Sequence, residues 1–181
     1  MVDVVYKMRS ESYMDGLLDL INHIQSYQDT KELSMIEIGS YVGESTELFS
    51  KYFKNVISID PFINDYDPND ITCSYMKLED VYYKFVEVIS NYDNITHIKK
   101  TSDEAFVDLK NQKFDFVYID GLHTYDQVKI DIKNYIQLIN SNGFIGGHDY
   151  HKKWKGVIDA VDETLGSPDL TFKDTSWIKK L

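Results

Sequence analysis

Four short segments gather the residue types that carry chemistry. In Ile119-Asp-Gly-Leu-His-Thr-Tyr125 a carboxylate, Asp120, stands three places before an imidazole, His123. Asp120 can hold an ammonium group or a divalent cation. His123, with an ordinary pKa of about 6.5, can take a proton from an acceptor hydroxyl near neutral pH. Further on, Gly143-Phe-Ile-Gly-Gly-His-Asp-Tyr150 places His148 and Asp149 after two glycines. Asp120 and Asp149 with His148 are candidate ligands for magnesium, manganese or iron. The plainer alternatives are Asp120 as a helix cap, His123 as a surface residue and His148 as a residue bonded to backbone.

The other two segments lie nearer the start. Glu37-Ile-Gly-Ser-Tyr-Val-Gly-Glu-Ser45 holds Gly39 and Gly43, which allow close approach of backbone to a ligand, and Glu37, which can accept from hydroxyl or ammonium donors. An ordinary turn with glycine for its shape would look the same. Asp60, about twenty residues on, suits the two hydroxyls of a ribose, although an Asp before Pro61 is also a common turn residue. The tighter G-x-G-x-x-G of dinucleotide sites is missing, which argues against a nicotinamide-dependent oxidoreductase.

Each segment needs an element to position it. Met14, Leu17, Leu18 and Ile21 recur at helical spacing, so a helix is expected from about Glu11 to Tyr27. Met35–Ile38, Val56–Asp60, Ile95–Lys99, Phe114–Ile119 and Phe144–His148 read as strands. Between them fall helices at Ser45–Tyr52, at Leu78–Ile89, after Ser102 as N-cap, and from Tyr125 to Ile139, closed by Asn140, Asn142 and Gly143. Phe62–Ser74 reads as an exposed loop. Val157, Ala160, Val161 and Leu165 mark one more helix, and Leu170–Phe172 and Ser176–Ile178 two short strands. Alternation of this kind implies right-handed crossovers and a mostly parallel sheet covered on both faces. Ligands then bind beyond the carboxyl ends of the strands, where all four segments lie.

Composition narrows the function classes. At 181 residues, with 43% hydrophobic and 14% aromatic residues, the chain suits one packed domain. A net charge of −11 weighs against nucleic acid, because phosphate-backbone binding needs clustered Lys and Arg. Lys152, Lys153 and Lys155 form a short basic patch that reads as solvated. The start, MVDVVYKMRSESYMDG, lacks the apolar core of a signal peptide and no run has membrane-spanning length, so a cytoplasmic, non-membrane protein is expected. Cys73, the single cysteine, can form no internal disulfide.

Taken together, the segments resemble the class I S-adenosylmethionine-dependent methyltransferases. The similarity is greatest to a subgroup whose central strand ends in D-G-x-H-x-Y and whose next strand ends in H-D-Y, as in Asp120–Tyr125 and His148–Tyr150. It runs from Met35 onward and includes Trp154 and Gly156-Val157. The resemblance implies a three-layer Rossmann-like α/β sandwich over residues 1–181, with residues 1–33 as a helical extension. Its sheet would have seven mostly parallel strands, one of them antiparallel and supplied by the last hairpin.

It further implies that Glu37, Gly39 and Gly43 surround the methionine end of the cofactor, that Asp60 binds the ribose, that Ser102 lies near the adenine and that Asp120 also belongs to the cofactor site. In the similar catechol-type enzymes a lysine base follows the strand-four acid by three places, and Asp-Asn ends strand five. Here His123 stands in place of the lysine and Tyr150 in place of the asparagine, so a metal site would lack its amide and could recruit His148. The implied reaction is O-methylation of a small-molecule or sugar hydroxyl, with His123 and Asp120 catalytic and with or without magnesium or manganese at Asp120, Asp149 and His148. The acceptor pocket would come from residues 6–27, 62–75 and 150–154. A module that binds S-adenosylmethionine without turnover stays open beside this reading, as does a homo-oligomer.

Overall fold

The computed structural model describes residues 11–64 and 77–181. Residues 6–10, Cys73 and most of the expected 62–74 loop therefore lie outside the described residues. Seven strands form one sheet: β1 (Ser34–Ile38), β2 (Asn55–Ile59), β3 (Ile95–Ile98), β4 (Phe114–Ile119), β5 (Ile139–Gly147), β6 (Leu170–Thr171) and β7 (Trp177–Lys180). Their order is β3-β2-β1-β4-β5-β7-β6. The first five run parallel, and β7 alone runs against its neighbours β5 and β6. After β3 the chain returns to the other side of β1, so β1 and β4 flank the switch point where such sheets bind ligands.

Among the described residues six α-helices accompany the sheet: α1 (Glu11–Gln25), α2 (Glu44–Tyr52), α3 (Leu78–Ile89), α4 (Ser102–Leu109), α5 (Tyr125–Tyr135) and α6 (Lys155–Leu165). Strand β4 shows why the two layers of helices hold. Phe116 and Tyr118 meet Leu17, Ile21 and Phe49 of α1 and α2, while Val117 and Ile119 meet Ile132, Val157 and Val161 of α5 and α6. A strand buried on both faces reads as a continuous apolar run, as Phe114–Ile119 does. Leu17, Leu20, Ile21 and Ile24 are fully buried, so α1 closes the core. Among the described residues no helix is long and apolar enough to cross a membrane.

Two local expectations are corrected. Helix α5 ends at Tyr135, followed by a single 3-10 turn, Ile136–Leu138, and Ile139 already pairs with Phe114 as part of β5. The polar run Asn140–Gly143, expected to stop a helix, lies within β5 at a shift of register against β4, with Asn142 at φ 64. The cap of α4 is Thr101 rather than Ser102: its side chain accepts from Glu104 N–H while the Glu104 carboxylate accepts from Thr101 N–H. Ser102 is the first helical residue and is buried.

Candidate active site at the carboxyl edge of the sheet

Beyond β1 the chain turns at Gly39, whose φ of +85 is left-handed. A Cβ there would stand 2.0 Å from the carbonyl oxygen of Asp120, so glycine is required for β1 to pass the end of β4. The loop that follows is pinned by Asp60. Its Oδ2 accepts from the Ser40 and Tyr41 amides at 2.9 and 3.0 Å, and its Oδ1 from the Phe62 amide at 2.9 Å. Burial pushes the Asp60 carboxyl up, and these amides offset only part of that. Ser40 Oγ lies 2.5 Å from Ser58 Oγ beneath the loop.

Strand parity turns Glu37 to the α2 side, where it is fully buried and accepts from the Thr46 hydroxyl. Gly43, at φ +89, starts α2 with the Phe85 ring against the place a Cβ would occupy. Ser102 faces inward. Its hydroxyl bonds to the Asp131 carboxylate and accepts from Gln127 Nε2 at 3.2 Å, and its carbonyl accepts from Tyr135 Oη at 2.7 Å. Burial pushes the Asp131 carboxyl up to about 7 against the pull of the Ser102 and Gln127 bonds.

Across the Gly39 contact lies a second group. Asp120 follows β4, with its amide bonded to the Ile38 carbonyl at 2.7 Å. The His148 amide bonds to the Ile119 carbonyl at 3.0 Å, bringing the end of β5 alongside. Asp149 has a left-handed φ of 59, uncommon for a residue other than glycine, and this breaks strand alternation so that His148 and Asp149 face the same cluster. His123 Nε2 is 2.8 Å from Asp149 Oδ2 and 3.9 Å from Asp120 Oδ1. His148 Nδ1 is 3.6 Å from Asp120 Oδ1 and 3.4 Å from Asp149 Oδ1. Burial alone would raise the Asp149 carboxyl, but the two imidazoles hold it well below the usual carboxylate range.

Asp120, His123 and Asp149 can each direct one donor atom to a common point, all within 4.8 Å of one another. His123 is thus a member of the carboxylate cluster, where the sequence separates it as a base from ligands Asp120, Asp149 and His148. Tyr150 turns away: its hydroxyl donates to Asp162 on α6 at 2.7 Å, and its phenol is raised to about 12 by burial and that carboxylate. Trp154 stacks on the His123 ring at 4.4 Å and an interplanar angle of 24°.

Two residues at this edge escape a reading of the sequence. Asp131 takes the i+3 place in the buried stripe Val128–Asp131–Ile132–Tyr135, and a polar residue within an apolar stripe is the signal that could have found it. His97 packs edge-on to Phe85 at 4.7 Å and near Phe62, with Nδ1 3.1 Å from the Ser58 carbonyl. Burial lowers its pKa. Nothing in the spacing of β3 marks it.

Residues 36–150, more than half the chain, match the family described as Methyltransferase domain (Methyltransf_24). The chain belongs to that family. This methyltransferase is 29% identical over 154 residues to the uncharacterized protein R132 of Acanthamoeba polyphaga mimivirus, covering 81% of this chain and 65% of that protein. The chain thus spans just under two thirds of that relative's length.

Among solved structures the methyltransferase is similar to apo CalS11, a TDP-rhamnose 3'-O-methyltransferase of calicheamicin biosynthesis. The identity is 15%, the coverage 92% of this chain and 79% of that one, and the TM-score 0.64. It is also similar to the O-methyltransferase NovP, at 15% identity, 97% and 81% coverage and TM-score 0.67. A third likeness is to the N-methyltransferase NodS of Bradyrhizobium japonicum WM9 in complex with S-adenosyl-L-homocysteine, at 14% identity, 92% and 86% coverage and TM-score 0.62. At such identities the shared property is the class I fold, since these proteins differ in the atom they methylate.

Proposed function

We propose that the chain transfers the methyl group of S-adenosylmethionine to a hydroxyl oxygen of a small molecule or sugar, with His123 removing the proton. The observation that carries this reading is the His123–Asp149 pair at 2.8 Å, set across the Gly39–Asp120 contact from the loop that follows β1. The cofactor fits the first half of the edge. Asp60 Oδ1 retains acceptor capacity beyond its one amide partner, as a ribose hydroxyl requires, and Gly39–Gly43 with Glu37 would flank the methionine end. When bound, S-adenosylmethionine supplies an electrophilic methyl group on a sulfonium.

The chain's own residues then have three tasks. The cluster holds the acceptor oxygen in line, which is where most of the rate of such a displacement originates. His123 takes the hydroxyl proton, and the Asp149 carboxylate balances the imidazolium that forms. Trp154 covers one face of the imidazole and keeps water off it.

The same cluster supports a second reading. Three donors within 4.8 Å, with His148 alongside, fit a divalent cation held by Asp120, Asp149 and either imidazole. Mixed nitrogen and oxygen donors suit manganese or iron better than magnesium. Such an ion would supply Lewis acidity toward the acceptor oxygen. Where His123 is the imidazole that binds, it would be a ligand and no base.

Calorimetry with S-adenosylhomocysteine, NAD and NADP tests the cofactor: the first should bind in the micromolar range and the others should give no heat. Labelled methyl transfer to a panel of hydroxyl acceptors tests the reaction. Binding without turnover on any of them would leave a cofactor-binding module. A chelator separates the two readings of the cluster. If turnover survives it, His123 acts as base. If turnover is lost, Asp120→Asn and Asp149→Asn should each abolish the metal-dependent rate while leaving the far-ultraviolet circular dichroism unchanged.

A further inference from the structure

Three lysines flank Trp154, and among the described residues only Lys155 has a carboxylate partner. Lys155 Nζ lies 2.6 and 2.5 Å from the two carboxylate oxygens of Asp159. Lys152 and Lys153 are exposed, and among the described residues neither has a carboxylate partner, in a chain with 30 acidic against 19 basic residues. They do not sit on a loose loop. The His151 amide bonds to the Asp149 carbonyl at 2.7 Å, the Trp154 amide to the His151 carbonyl at 2.8 Å and the Lys153 amide to His151 Nδ1 at 3.3 Å. These bonds close a 3-10 turn, Lys152–Trp154, directly onto the cluster. Lys153 Nζ stands 5.3 Å from the Trp154 ring, and that ring is stacked on His123.

We propose that Lys152 and Lys153 bind a phosphate group carried by the acceptor, so that a sugar phosphate or a nucleoside-diphosphate-linked sugar presents its hydroxyl to His123. The proposal rests on the methyl-transfer reading for its purpose, but the phosphate site stands on its own geometry. Two lysines on one short turn supply two positive charges, which suits a phosphate dianion better than a singly charged carboxylate. Lysine serves phosphate as a point charge, without the planar fork by which an arginine, of which the sequence has only Arg9, would hold it. In a chain of net charge −11, a basic pair with no carboxylate partner among the described residues also sets where an anionic substrate can approach.

The test uses the full chain in metal-free, low-salt buffer, titrated with inorganic pyrophosphate and with UDP. The two tryptophans, Trp154 and Trp177, provide two indole N–H resonances, assigned with Trp154→Phe. The Trp154 resonance should move on titration and the buried Trp177 resonance should not. A Lys152→Gln/Lys153→Gln double variant should bind pyrophosphate about tenfold more weakly, the loss of two exposed charge contacts. Lys110→Gln/Lys113→Gln, at the opposite edge of the sheet, should bind it as the wild type does. UDP binding tighter than pyrophosphate would identify a nucleotide-linked sugar, and equal binding a sugar phosphate. A still Trp154 resonance, or equal affinity in the Lys152/Lys153 variant, would overturn the proposal. Failure of S-adenosylhomocysteine to bind the wild type would instead overturn the methyl-transfer reading and leave the phosphate result intact.

Discussion

The two halves of the carboxyl edge use carboxylates in opposite ways. At the ends of β1 and β2, Asp60 accepts from three main-chain amides among the described residues, so the charge shapes a loop. At the ends of β4 and β5, Asp149 faces two imidazoles, groups that can gain or lose a proton or meet a cation. A carboxylate held by amides is fixed for as long as the fold lasts. One held by histidines changes state when they do. The first arrangement suits holding a common cofactor, and the second suits the reacting centre.

The largest expected effect tests the second half. His123→Ala should lower turnover by a factor of about 10²–10⁴ with little change in S-adenosylhomocysteine affinity. Full activity with an unchanged pH profile would return His123 to packing against Trp154. If affinity falls with turnover, the halves are not separable.

The next effect concerns stability. Asp131 has an ordinary value of 3.8 and is pushed up to about 7 when folded. Below pH 3.8 both folded and unfolded chains hold the proton. Between there and pH 7 the unfolded chain releases it first, so stability falls as pH rises through this window. Asp131→Asn should therefore raise the melting midpoint at pH 8, by up to a few kcal/mol in stability, and leave it level or slightly lower near pH 4. A uniform loss at both pH values would mean that the Ser102 and Gln127 bonds outweigh the buried charge.

The smallest effect is at Asp60. Substitution by Ala should weaken S-adenosylhomocysteine by about 1–3 kcal/mol, because the Ser40 and Tyr41 amides lose their acceptor. Amide exchange of those two residues should quicken in the same variant without ligand. Weaker binding with unchanged exchange would show Asp60 acting on the ribose and not on the loop.

The layout of the sheet was legible because its core strands are buried on both faces and appear as short apolar runs bounded by glycine or proline, as β1, β2 and β4 do. The boundary of α5 and β5 was not. Asn140, Asn142 and Gly143 carry the same chemistry whether they end a helix or accommodate an irregular strand, and only the pairing of Ile139 with Phe114 decides. In the site, Asp120, His123, His148 and Asp149 were each visible as residues following a strand. Their pairing was not, since it depends on the left-handed backbone at Asp149, which no neighbouring residue type announces. Trp154 belonged to a recognisable motif, yet its place over His123 arises from a turn tied back to Asp149. Asp131 was hidden by the convention that a helical stripe facing a core is apolar.

The missing side chain at Gly39 has a consequence for how this enzyme could change over evolutionary time. Because the turn after β1 rests on the backbone of Asp120, the wall of one compartment is the floor of the other. The turn carrying Lys152 and Lys153 is tied to the other side of that seam, through the His151 amide on the Asp149 carbonyl and the Trp154 ring on His123. A side chain of any size at position 39 would push β1 and β4 apart at their carboxyl ends, so a change there would be felt on both sides of the sheet edge at once.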